Sequence, residues 1–239
     1  KLEAAFAGWK PSDTPVIDAP VPPAPRGSVV YLVDKPGAIQ SYIAAAVVAP
    51  RREDKEEPAL ETFNAVFGGN FVSRLNMNLR EDKHWSYGAF SGLSGSNRGP
   101  RQYVAAAAVQ TDKTKESLVE VRRELSEVLS ARPVTPAELT QAQSGLVLGL
   151  PGLWETNASI GNYIGDIVDA GLPDDYYAGY ADRIRATTQA DMQRAAGLVV
   201  KPQALTWVVV GDRAKIEQGV RELNLGEVRV VDADGKPVS

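Results

Sequence analysis

Residues 64–90 read Asn-Ala-Val-Phe-Gly-Gly-Asn-Phe-Val-Ser-Arg-Leu-Asn-Met-Asn-Leu-Arg-Glu-Asp-Lys-His-Trp-Ser-Tyr-Gly-Ala-Phe. Leu60, Phe63 and Phe67 recur at helical spacing, and Phe71, Leu75 and Leu79 continue the series. The spacing predicts a helical stretch that passes Gly68-Gly69, carries Ser73-Arg74-Leu75 and ends at Leu79-Arg80-Glu81. A strand is expected from about Tyr87. A short turn between the two would bring Arg80 and Tyr87 to one edge of a sheet.

Outward from this stretch, the patterns alternate. Residues 28–33 and 40–48 are rich in Val, Ile, Tyr and Ala, with Lys35-Pro36-Gly37 as turn chemistry between them. Two more strands are expected at 87–93 and 103–110, separated by a loop over 94–100. Each pair is close enough in sequence for an antiparallel hairpin. Leu118, Val121, Leu125 and Val128 mark an amphipathic helix. Thr135-Pro136-Ala137-Glu138 is a capping box with Pro at the first helical position, so a helix starts there. Helical patterns follow over 154–170, 174–186 and 188–199, broken by Gly171-Leu172-Pro173. A strand at 205–210, a short helix and a last strand at 227–231 close the chain. This order predicts an α+β domain: a mainly antiparallel sheet with helices packed on one face.

Six of the 16 prolines fall in residues 10–27. Proline fixes φ and removes a donor, so the stretch reads as an extended linker. Residues 1–27 are therefore expected to be the end of a preceding domain plus its linker, and 28–239 the α+β domain. A frayed terminus is the alternative for residues 1–6. The chain opens on Lys1 with no signal peptide, and is expected to be a piece of something longer.

Composition narrows the function classes. A formal charge of −4 and a pI near 5.2 give no electrostatic footprint for nucleic acid. No apolar run is long enough to span a bilayer as a helix. There is no cysteine, hence no disulfide, thiolate nucleophile or Cys-ligated metal. His84 is the one histidine, so a histidine pair for metal cannot be assembled from this chain. His84 reads as a turn or surface residue, with a lone ligand or pH switch as the alternative. A Ser–His–acid triad could use only His84, and no Gly-x-Ser-x-Gly elbow follows an apolar strand. Gly92-Leu93-Ser94-Gly95-Ser96 is placed in a loop. Gly68-Gly69-Asn70 lacks the Gly-Lys-Ser/Thr ending of a phosphate loop. The acidic pairs Glu56-Glu57 and Asp174-Asp175 are placed at helix starts, where they complement the macrodipole.

Arg80 and Tyr87 are the candidate site. Both donate hydrogen bonds at neutral pH. Together they could hold a peptide carbonyl, or the oxyanion formed when it is attacked. The alternative is structural: Arg80 caps its helix C-terminus and Tyr87 packs with its hydroxyl at the rim.

The stretch 64–90 resembles the non-catalytic half of the insulinase/pitrilysin family of zinc metallopeptidases, which includes the mitochondrial processing peptidases. Leu32-Val33-Asp34-Lys35-Pro36-Gly37-Ala38-Ile39-Gln40-Ser41 resembles the family's opening strand-turn-strand. Val134–Leu139, Leu172–Tyr177 and Val208–Asp212 fit more loosely. The resemblance implies a peptidase built from two similar α+β halves closing around a chamber, one half carrying an H-x-x-E-H zinc motif. That motif is missing here, so the implied cofactor for this chain is none, with zinc in the partner half. Arg80 and Tyr87 fall on the Arg/Tyr pair that the other half presents to substrate. His84 stands where the family has Gly. The implied partners are the zinc-bearing half, in the same polypeptide or separate, and an extended peptide substrate. A homodimer of the isolated half in concentrated solution is also implied. The resemblance suggests a periplasmic location, with the cytoplasm as alternative. Family members that have lost proteolysis and serve as structural or assembly subunits supply a rival reading, and a simple peptide-binding module is the third.

Overall fold

The computed structural model describes residues 1–10, 20–23, 25–52, 54–95 and 99–238. Six strands form one sheet: β1 (Val29–Asp34), β2 (Gln40–Ala49), β3 (Ser86–Gly95), β4 (Arg101–Gln110), β5 (Thr206–Gly211) and β6 (Glu227–Val231). Their order is β3-β4-β2-β5-β1-β6. The pairs from β3 to β5 are antiparallel, and β1 pairs in parallel with β5 and β6. The sheet is thus mixed and mostly antiparallel.

The expected β3–β4 hairpin is present. The expected β1–β2 hairpin is not, because β5 lies between them. The connection over residues 35–39 is long enough to step across an extra strand at roughly 5 Å per strand spacing. It closes over the end of β5: Lys35 N donates to the Gly211 carbonyl at 2.7 Å, and Gly37 N to Asp212 Oδ2 at 3.2 Å.

Alternation along the strands creates one core face, including Val30, Leu32, Ile43, Val47, Tyr103, Ala107, Val109, Trp207 and Val209. The helices α2 (Glu57–Phe67), α4 (Thr114–Glu127), α8 (Gln189–Val199) and α9 (Arg213–Glu222) pack on it. Burying each large apolar side chain there contributes about 1.5–3 kcal/mol. Phe63 and Phe67 stack at 5.5 Å and both meet the Tyr103 ring. The Tyr103 hydroxyl donates to Ser91 Oγ, which donates to Asn64 Oδ1, so a polar relay ties α2 to β3. The opposite face, with Tyr42 and Phe90, is open.

The helix expected to run on through residues 68–79 is broken. Gly68 N bonds to the Asn64 carbonyl, and Ser91 N donates to the Gly68 carbonyl at 2.9 Å. A Cβ at Gly68 would stand 2.4 Å from Ser91 N, so β3 approaches too closely for any side chain there. Asn70 then turns the chain, donating to the Ala65 carbonyl and accepting from Val72 N. Phe71 is exposed rather than continuing the helical stripe. Helix restarts as α3 (Arg74–Asn76) and widens into a π-helical turn over Met77–Asp82.

The capping box at Thr135 starts α5 (Pro136–Leu153), followed by α6 (Asn157–Ala170) and α7 (Tyr180–Ala186). Asp174-Asp175 therefore precede α7 in turns rather than forming its first turn. Gly92–Gly95 belong to β3, not to a loop, and Ser96 lies outside the described residues. At the N-terminus, α1 (Leu2–Ala5) is a single turn. The proline-rich segment falls partly outside the described residues, at 11–19 and 24. Among the described residues, no helix is long and apolar enough to cross a membrane.

Candidate functional site

β3 is an edge strand; Tyr87 lies at its start and Arg80 in the π-helical turn that precedes it. Arg74 anchors the element that leads to them. Its guanidinium makes a two-pronged ion pair with Glu138, both contacts at 2.7 Å, and reaches the Arg132 and Pro133 carbonyls. Burial alone would push the Glu138 carboxyl up. Hydrogen bonds from Arg74 and from Thr135 overcome this and bring it down to about 2. Asn76, buried, donates to the Phe71 carbonyl and accepts from Ala89 N, stitching the restarted helix to β3.

Arg80 sits in the π-helical turn, a geometry that recurs at functional sites. Its guanidinium lies over the Phe71 ring, 4.5 Å from the centroid, and Nε pairs with Glu81 at 3.2 Å. The turn to β3 passes through His84 at φ 57, in the left-handed region. Glycine is favoured there, and histidine is among the side chains that tolerate it. His84 Nδ1 lies 3.1 Å from the Arg80 carbonyl, so the ring caps the turn.

Tyr87 is turned outward by a β-bulge. Ser86 pairs with Val109 and Ala89 with Ala107, so Tyr87 and Gly88 together oppose Ala108. Ser86 Oγ holds the bulge: it lies 2.7 Å from both the Gly88 and Ala108 carbonyls, to one of which its hydroxyl donates, and it accepts from Gly88 N. Tyr87 is 87% exposed, and its hydroxyl has no partner among the described residues. No hydrogen bond joins Arg80 and Tyr87, but a three-residue turn and one bulge set both at the same end of the edge strand. Each of the two side chains is a hydrogen-bond donor at neutral pH. Sequence reading missed Phe71, Asn76 and Ser86. Phe71 was hidden because its spacing fitted the helix, and the two polar residues carry no local signal.

Beside α2 lies a second polar region, a cavity of ≈610 Å³. Glu57, placed by sequence as a macrodipole partner, is buried and paired with Arg101 through both oxygens. Arg52 meets Glu57 at 2.5 Å and Glu61 at 2.8 Å. Burial pushes the Glu61 carboxyl up, against the pull of Arg52 and a hydrogen bond from Tyr180. The carboxylates are neutralised by arginines within the chain, which makes the cluster a structural clamp between α2 and β4. Among the described residues, no three His, Cys, Asp or Glu side chains are grouped to hold a metal. The described residues do not fit a zinc site.

The family described as "Peptidase M16 inactive domain" matches residues 1–146. Among curated proteins, none matches. Among solved structures, the fold resembles the peptidase M16 inactive domain from Pseudomonas fluorescens, at 21% identity and TM-score 0.73, covering 82% of this chain and 46% of that one. It resembles a protease from Helicobacter pylori at 19% identity and TM-score 0.71, covering 87% and 50%. It also resembles a chain of complex III from Candida albicans at 12% identity and TM-score 0.65, covering 83% and 49%. The present chain thus spans about half the length of each of these structures.

Proposed function

This chain belongs to the peptidase M16 inactive-domain family, and from that premise we propose that it is the non-catalytic half of a zinc metalloendopeptidase. It binds an extended peptide and completes the active site of a zinc-bearing half. The observation that carries this reading is the placement of Arg80 in a π-helical turn just before β3 and of the exposed Tyr87 at a bulge at its start. An extended peptide can pair with a sheet edge through its main chain; on β3 the Ala89 and Ser91 N–H groups are already held by Asn76 and Gly68, so such pairing is confined to the rest of the strand. Arg80 and Tyr87 then hold the carbonyl near the scissile bond. In this proposal zinc and the general base belong to the partner half, and this chain divides into a leading segment, 1–27, and a domain, 28–239. A periplasmic location and self-association of the isolated half are parts of the same proposal.

The test is turnover of the assembled two-half enzyme. Arg80→Ala and Tyr87→Phe should each lower kcat with little change in Tm. Unchanged turnover in both variants would sink the role. The second reading is a structural or assembly subunit, favoured by the fold likeness to a complex III chain. It predicts an assembly whose formation and stability are indifferent to both substitutions and which cleaves nothing.

A further inference from the structure

The open face of the sheet ends, away from Tyr87, in a cavity of ≈410 Å³. Its floor is formed by Tyr31, Ala46, Val48 and Val208 on β1, β2 and β5. In register, Tyr31 lies opposite Val208, and Val208 opposite Ala44, one step along the same face from Ala46. The walls come from outside the sheet: Pro25 ahead of β1, and Lys201 in the connection before β5. Ser28 locks these walls together. Its hydroxyl donates to the Pro202 carbonyl at 3.4 Å and accepts from Leu205 N at 3.0 Å.

The lining is mostly apolar, and its polar groups are Lys201, Gln102, Thr206 and the Tyr31 hydroxyl. Lys201 is exposed and pairs with no carboxylate among the described residues. Arg229, opposite Tyr31 on the next strand, is already paired with Glu227 at 2.6 Å. An apolar cavity of this size with few polar groups is the usual form of a ligand site. One unpaired ammonium at such a cavity selects an apolar group that carries a single negative charge. Gln102, on β4, pairs across the sheet with Val48 and with Ser94, so it lies at the end of the sheet away from Tyr87. Gln102 also supplies an amide that can bond a peptide group.

We propose that this cavity binds the C-terminal residue of a peptide. The apolar side chain lies on Ala46 and Val208, the α-carboxylate meets Lys201, and the last peptide group meets Gln102. The proposal rests on the peptide-binding reading and adds a second contact point, on the open face of β1, β2 and β5.

The experiment is calorimetric titration of the 239-residue chain with an acetylated Gly-Ser-Gly-Ser-Gly-Leu peptide bearing a free C-terminus, with its C-terminal amide, and with decanoate. The free acid should bind, and amidation or Lys201→Gln should each weaken binding about tenfold, the scale of one charge-assisted hydrogen bond. Ala46→Trp, which fills the floor from the open face, should abolish binding while leaving Tm unchanged. Absence of binding, equal binding of acid and amide, or indifference to Ala46→Trp would overturn the proposal. Decanoate binding more tightly than the peptide would overturn it in favour of a fatty-acid site. This readout is binding by the single chain, whereas Arg80 and Tyr87 are read as turnover of the two-half enzyme, so either can fail without the other.

Discussion

Tyr87 shares strand parity with Ala89, yet Ala89 is 6% exposed and Tyr87 is 87% exposed. In a regular ladder, residues two apart face the same way. The bulge at Tyr87-Gly88 cancels that rule for one residue and turns the phenol out of the core. Ser86 is the side chain that holds the bulge. Ser86→Ala should therefore lower turnover of the assembled enzyme several-fold, with Tyr87 chemically intact and stability changed by about 1 kcal/mol. Steady-state kinetics beside a urea melt checks this. A turnover loss no larger than the stability loss explains would remove the bulge from the mechanism.

Phe71 supports Arg80 from below. An exposed cation–π contact is worth about 0.5–1 kcal/mol. Phe71→Ala should then cost roughly two- to fivefold in kcat/KM, less than Arg80→Ala, and should add nothing in an Arg80→Ala background. A double-mutant cycle measures the coupling.

The Arg74–Glu138 pair carries a pH signature. The folded-state pKa of Glu138 is lowered from 4.5 to about 2. Its stabilisation is fully present above about pH 4.5 and is lost as pH falls towards 2. With screening at this half-buried site, the contribution is roughly 1–2 kcal/mol. Chemical denaturation at pH 6 and pH 3 should show that loss in the native chain and a smaller one in Glu138→Gln.

The Glu57–Arg101 pair is buried on both sides. Removing Arg101 leaves the buried Glu57 with Arg52 alone, at a cost of up to about 3–5 kcal/mol. Arg101→Met alone should lower the denaturation midpoint strongly, and adding Glu57→Leu should recover part of it. Equal midpoints for the single and double variants would show that the ion pair is not what the fold depends on.

Metal analysis of the chain alone should find no stoichiometric zinc, and peptide hydrolysis should require the partner half. One tightly held zinc per chain would contradict the assignment of the metal to the other half.

What the sequence determined by itself was local or numerical. Period-two and period-3.6 patterns marked strands and helices, Thr135 to Glu138 marked a helix start, and a single histidine excluded a histidine pair. The family motif picked out Arg80 and Tyr87. Tertiary structure decided what depends on contacts far apart in the chain. Gly68 ends a helix because Ser91 of another element needs the space, although Phe71, Leu75 and Leu79 continue the spacing. β5 separates β1 from β2 because two distant segments, around Lys35 and Asp212, bond to each other. Tyr87 faces outward because Ala108 of the neighbouring strand accommodates two residues where a regular ladder would place one. Local periodicity records which side of its own element a residue faces, whereas register, insertion and bulging are set by the partner strand, which local sequence does not specify.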